Sequence, residues 1–100
     1  MLKEFMKTKK IPKLYETENQ QDPIAYVKFF TPDSCWSWFV TEYDPDQDLC
    51  FGLVIGFETE FGYFSLQEIE TSKGPLGLKI ERDIYFSETH LSAIREETIL

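Results

Sequence analysis

Between residues 25 and 66, four β-forming stretches follow one another with only a few turn residues between them. This spacing constrains the fold more than any other feature. Residues 25–31 read Ala-Tyr-Val-Lys-Phe-Phe-Thr and stop at Pro32, because proline removes the backbone donor that a strand interior needs. Pro32, Asp33 and Ser34 form a turn, and residues 35–43 form the next strand. Asp44-Pro45-Asp46-Gln47-Asp48 is a second turn, followed by a strand over 49–58, a link at 59–61 and a strand over 62–66. Links this short cannot hold the crossover that parallel neighbours require, so an antiparallel meander is predicted.

Helical spacing accounts for the ends. Leu2, Phe5 and Met6 recur at helical intervals, which predicts a short helix over 2–9 stopped by Pro12. Residues 66–72 can make one or two helical turns. Lys73-Gly74-Pro75-Leu76-Gly77 breaks into a loop, and 78–86 returns as a strand. Thr89 is a candidate N-cap for a C-terminal helix carrying Leu91 and Ile94. The expected fold is α+β: a mostly antiparallel sheet of four to five strands with short N-terminal and C-terminal helices.

The two-residue pleat then assigns faces. The turn at 44–48 would set Val40 opposite Leu53, Trp38 opposite Ile55 and Trp36 opposite Phe57. The next turn would set Ile55 opposite Phe64 and Leu53 opposite Leu66. That makes one face continuously apolar. The other face would carry Phe39, Tyr43 and Tyr63 beside Gly52 and Gly56, a shallow depression. The plainer alternatives are that a helix covers it, or that the glycines mark bulges.

One hundred residues fit a single domain over 1–100, which excludes a (β/α)₈ barrel or a full dinucleotide-binding fold. Rings make up 16 % of the chain, enough for a compact core from few residues. The formal net charge is −8, which opposes generic binding to nucleic-acid phosphates. Charge is uneven: residues 1–13 hold five lysines and one glutamate, a basic lead expected to be solvated and loose. The two cysteines, Cys35 and Cys50, and the single His90 form no metal or redox motif. No metal, cofactor or membrane contact is expected. No apolar run approaches the ~18 residues of a membrane span. A cytoplasmic protein with reduced thiols is the simplest expectation.

The strings themselves are informative together. Residues 26–32 (Tyr-Val-Lys-Phe-Phe-Thr-Pro) precede 36–44 (Trp-Ser-Trp-Phe-Val-Thr-Glu-Tyr-Asp). Phe51-Gly52-Leu53-Val54, Gly62-Tyr63-Phe64-Ser65-Leu66 and the segment from Gly74 to Phe86 follow. Across roughly residues 10–92 the chain resembles the bacterial family known as domain of unknown function 2958. The resemblance implies a small cytoplasmic bacterial protein of the kind often carried on plasmids, phages and other mobile elements. It implies no activity, cofactor or catalytic residue.

Several constellations invite chemistry. Asp44, Asp46 and Asp48 imitate the start of a calcium loop, but the sixth and twelfth positions are Leu49 and Ile55 rather than Gly and Glu. A solvated acidic turn is the better account. Arg82 shares a strand side with Ile80, Ile84 and Phe86, so an ion pair with a carboxylate such as Glu42 is expected. A Cys–His nucleophile pair would need Cys35 or Cys50 beside His90, in an electropositive setting that this acidic chain does not advertise. The leading expectation is a non-enzymatic protein-interaction module with Phe39, Tyr43, Tyr63 and the turn Asp44, Asp46 and Asp48 on its binding surface. The alternatives are a DNA mimic that inhibits a host DNA-binding enzyme, and a metal-dependent hydrolase using Glu42, Asp44 and Arg82. The partner is expected to be another protein.

Overall fold

A computed structural model describes residues 2–94. Helix α1 spans Leu2–Lys7, and Met6 on its inner side is 1 % exposed. The lead expected to be loose therefore packs through its apolar stripe. Strands β1 (Ile24–Ala25), β2 (Val27–Phe30), β3 (Ser37–Asp44), β4 (Leu49–Ile55) and β5 (Thr59–Phe64) follow. Helix α2 (Leu66–Thr71), β6 (Glu81–Arg82) and β7 (Thr89–His90) complete the named elements, and residues 91–94 add a helical turn. The fold is α+β, with a five-stranded antiparallel sheet ordered β5-β4-β3-β2-β6 and a two-stranded β1-β7 sheet.

The meander stands, but its register differs from the expectation. A β-bulge between Val40 and Glu42 inserts Thr41 as an extra residue on β3. Val40 therefore faces Gly52, Trp38 faces Val54 and Ser37 faces Ile55. One inserted residue sends Leu53 and Ile55 to the side opposite Trp38 and Val40. Gly52 explains why the bulge is possible. A Cβ there would lie 1.8 Å from the Phe39 carbonyl oxygen, so only glycine admits this approach of the two backbones. The β4–β5 link also comes earlier, at 56–58, so Ile55 faces Thr59 and Leu53 faces Phe61.

Both faces of the sheet are consequently packed. One core joins Met6, Val27, Phe29, Val40, Tyr43, Cys50 and Phe64 to Leu66 and Ile69 of α2. The other joins Ala25, Phe39 and Leu53 to Leu91 and Ile94. Ser65 caps α2 by accepting from the Glu68 N–H at 3.0 Å. The 91–94 turn is capped from across the fold: Asp22 accepts from the backbone N–H and hydroxyl of Ser92 at 2.9 and 2.8 Å. Thr89, the expected cap, instead pairs with Ala25 in β7. The strand expected over 78–86 is cut down to β6, with an isolated bridge between Lys73 and Lys79. Arg82 lies against the Phe5 ring at 3.9 Å, which ties α1 to that sheet edge.

Candidate functional site

Glu42 sits on β3 just past the bulge, 3 % exposed, on the sheet face of Phe51 and Tyr63. A carboxylate in such a place needs compensating donors, and the segment before β1 supplies them. Glu42 Oε1 accepts from the Tyr15 N–H at 2.8 Å, and Oε2 accepts from the Thr17 N–H at 2.9 Å. The Thr17 hydroxyl also donates to Oε2. The pin folds residues 15–17 over the sheet. It holds Tyr15 at φ 71°, a backbone region that a residue with a Cβ seldom adopts.

The side chain placed this way is not buried. Tyr15 is 64 % exposed and stands beside Tyr63, which is 51 % exposed. Interaction with the Tyr15 hydroxyl pushes the Tyr63 pKa up, and desolvation and the charges of Tyr15, Glu42 and Glu18 act in the same direction. Phe51 carries the aromatic wall further, tilted against Tyr63 at 4.9 Å and stacked on Phe61 at 5.8 Å. These residues enclose a groove of about 440 Å³, with Thr41, Glu18 and Gln20 on its margins. Thr41, the inserted bulge residue, turns its hydroxyl onto the Phe51 carbonyl at 3.1 Å.

A second hollow, of about 640 Å³, lies on the other face. Trp36 stacks on Trp38 at 6.0 Å, and Phe57 meets Trp36 edge-on at 5.6 Å. Thr31, Ile80 and the 72–75 segment close it, and Cys35 stands at its margin.

The expected site residues are scattered. Tyr63 lines the groove. Phe39 and Tyr43 are each 4 % exposed and belong to the two cores, so they are packing residues and not surface rings. Burial pushes the Tyr43 pKa to about 12. The acidic turn works on its own backbone. Asp44 accepts from Asp46 N–H and the Gln47 amide, and Asp48, at φ 52°, accepts from the first N–H groups of α2 at Leu66 and Gln67. The expected pair of Glu42 and Arg82 does not form, because the two lie on opposite faces of the sheet, Glu42 with Phe51 and Arg82 with Phe29. The same separation keeps Arg82 from joining Glu42 and Asp44 in the metal-dependent hydrolase site that the sequence suggested. His90 lies beside Asp22, and Cys50 is buried in the first core, with burial pushing its thiol to about 12. No group of three or more metal-ligating side chains occurs among the described residues. No described helix is long and apolar enough to cross a membrane.

Sequence reasoning missed Tyr15 and Thr17, which lie in a polar stretch with no periodic signal. Their selection depends on Glu42, whose place on an otherwise apolar strand, Phe39-Val40-Thr41-Glu42-Tyr43, was the available hint. The family model described as "Protein of unknown function (DUF2958)" matches residues 2–97. The chain belongs to this family. The match spans the 15–17 segment, the bulge and both hollows. No curated protein and no solved structure matches the chain.

Proposed function

We propose that this member of the DUF2958 family is a non-enzymatic interaction module, whose protein partner docks over the groove at Tyr15 and Tyr63. One observation carries the reading: a buried carboxylate and a left-handed backbone are both spent on holding an exposed tyrosine in one position. Burying Glu42 costs stability unless every donor is in place. A fold gains little from such an arrangement when an apolar residue would pack β3 as well. The return is a fixed pair of amphipathic rings, the side chains that dominate interface energies. The groove presents tyrosines, threonines, carboxylates and amides, and its one described hydroxyl–carboxylate contact, Thr17 to Glu42, belongs to the buried pin. The resemblance to proteins of bacterial mobile elements supports an accessory, cytoplasmic role.

The test is affinity capture from nuclease-treated host lysate with wild type, Tyr15→Ala, Tyr63→Ala and Trp36→Ala. The expected result is a stoichiometric protein that survives nuclease, is retained by Trp36→Ala and is lost with either tyrosine variant. Capture indifferent to both tyrosines, in variants that keep their native thermal transition, overturns the reading.

A further inference from the structure

Resting on the interaction reading above, we infer that the groove receives the guanidinium of an arginine side chain presented by the partner protein. Glu42 is the starting point. Buried carboxylates are ordinarily matched by a cation. Its donors are two backbone N–H groups and one hydroxyl, and no Lys, Arg or His pairs with it among the described residues. A carboxylate offers about four acceptor directions, and Oε1 takes only the Tyr15 N–H. One direction on Oε1 is therefore left on a side chain that lines the groove.

The margins have the same preference. Glu18 adds a second carboxylate, and among the described residues no lysine, arginine or histidine lines the groove. Tyr15, Tyr63 and Phe51 offer ring faces, which attract cations through their quadrupoles. An anionic ligand would meet two carboxylates there and, among the described residues, no cation. A guanidinium suits this set better than an ammonium, because its planar fork hydrogen-bonds a carboxylate while its face stacks on a ring. The chain's net charge of −8 draws basic partners from a distance.

The probe is the peptide acetyl-Gly-Arg-Gly-amide, titrated into the ¹⁵N-labelled full chain, beside the same peptide with neutral citrulline for arginine and beside free agmatine. The expected result is saturable amide shifts clustered at residues 15–18, 41–42 and 63. Citrulline should bind at least about tenfold more weakly, since charge-assisted hydrogen bonds are the stronger ones. Glu18→Gln, on the exposed margin, should weaken the arginine peptide about two- to fivefold, the range of a partly screened pair. Glu42→Gln is read beside it only if its thermal transition is native. Equal binding of the arginine and citrulline peptides, or shifts centred on Trp36 and Trp38, overturns the inference. Agmatine binding as tightly as the peptide overturns the partner-protein source. If the peptide fails while capture from lysate still requires Tyr15 and Tyr63, the charge assignment alone is lost. If capture ignores both tyrosines, the interaction reading fails first.

Discussion

The groove at Tyr15 and the cleft at Trp36 lie on opposite faces of one sheet, and rings wall both of them. In the groove, strand pairing places Phe51, Phe61 and Tyr63, and hydrogen bonds to a buried carboxylate fix the backbone that carries Tyr15 beside them. In the cleft, rings hold one another by stacking and edge contacts, and Phe57 is 95 % exposed. Hydrogen bonds are directional and costly to leave unmade, so the groove has one geometry or none. Ring contacts are tolerant, and a displaced ring finds another place. The contrast identifies the groove as the part of the surface whose shape the sequence specifies.

The comparison breaks most visibly at Glu42. Glu42→Ala strands the Tyr15 and Thr17 donors and is expected to cost about 3–5 kcal/mol, as several buried polar groups lose partners at once. Trp36→Ala in the cleft is expected to cost about 1–2 kcal/mol, the lower part of the range for ordinary substitutions. Urea denaturation of both variants checks the gap, and equal losses would erase the distinction.

Two glycines repeat the comparison at backbone level. Gly52→Ala drives a methyl into the Phe39 carbonyl, an atom that cannot move without breaking the bulge, and should cost about 3 kcal/mol. Gly56→Ala meets the Trp36 ring at 2.4 Å, a side chain that can swing away, and should cost about 1 kcal/mol. Thermal melts read both.

Tyr43→Phe sharpens the account in the other direction. The Tyr43 hydroxyl is buried without a partner, so removing it should raise stability by about 1 kcal/mol. Unchanged stability in a thermal melt would mean that the hydroxyl is solvated.

The thiols and the acidic groups give smaller effects. Cys35, beside the cleft, should react with a thiol reagent in the folded protein, while Cys50 reacts only on unfolding. Burial raises both Cys50, ordinarily near 9.0, and Tyr43, ordinarily near 10.0, to about 12. Their protonated forms favour the folded state, so this stability is full below about pH 9 and is lost as pH rises toward 12. Asp22 runs oppositely. The Ser92 N–H and hydroxyl hold its carboxyl below the ordinary 3.8, so its contribution is present above that pH and fades in acid. Side-chain shifts of Asp22 and amide shifts of Ser92, followed together through acid, check the sign.

Much of the architecture was legible because local signals carried it. Pro32 and the Asp44–Asp48 turn divide strands, and residues 66–72, read as one or two helical turns, form α2. The bulge was legible only from the partner strand, where a bulge at the glycines was one of the two plainer readings and Gly52 does face it. Nothing in Val40-Thr41-Glu42 marks an insertion, and Gly52 on the partner strand is compatible with several causes. That single residue moved Leu53 and Ile55 across the sheet and with them the boundary between core and surface. Phe39 and Tyr43 were expected at the surface for this reason, together with the second core formed by Leu91 and Ile94. The pin from residues 15–17 to Glu42 joins positions 25 and 27 apart in sequence, and such contacts leave no periodic trace. Glu42 itself was a candidate, but as a partner for Arg82 rather than for backbone donors.

The most direct test of the account is a hydrogen-exchange footprint of the chain in its captured complex. The prediction is slowed exchange over residues 15–21 and 59–64, with residues 34–38 and 72–75 unchanged. Protection confined to 34–38 and 72–75 would place the partner on the tryptophan cleft and contradict the assignment of the groove as the binding surface.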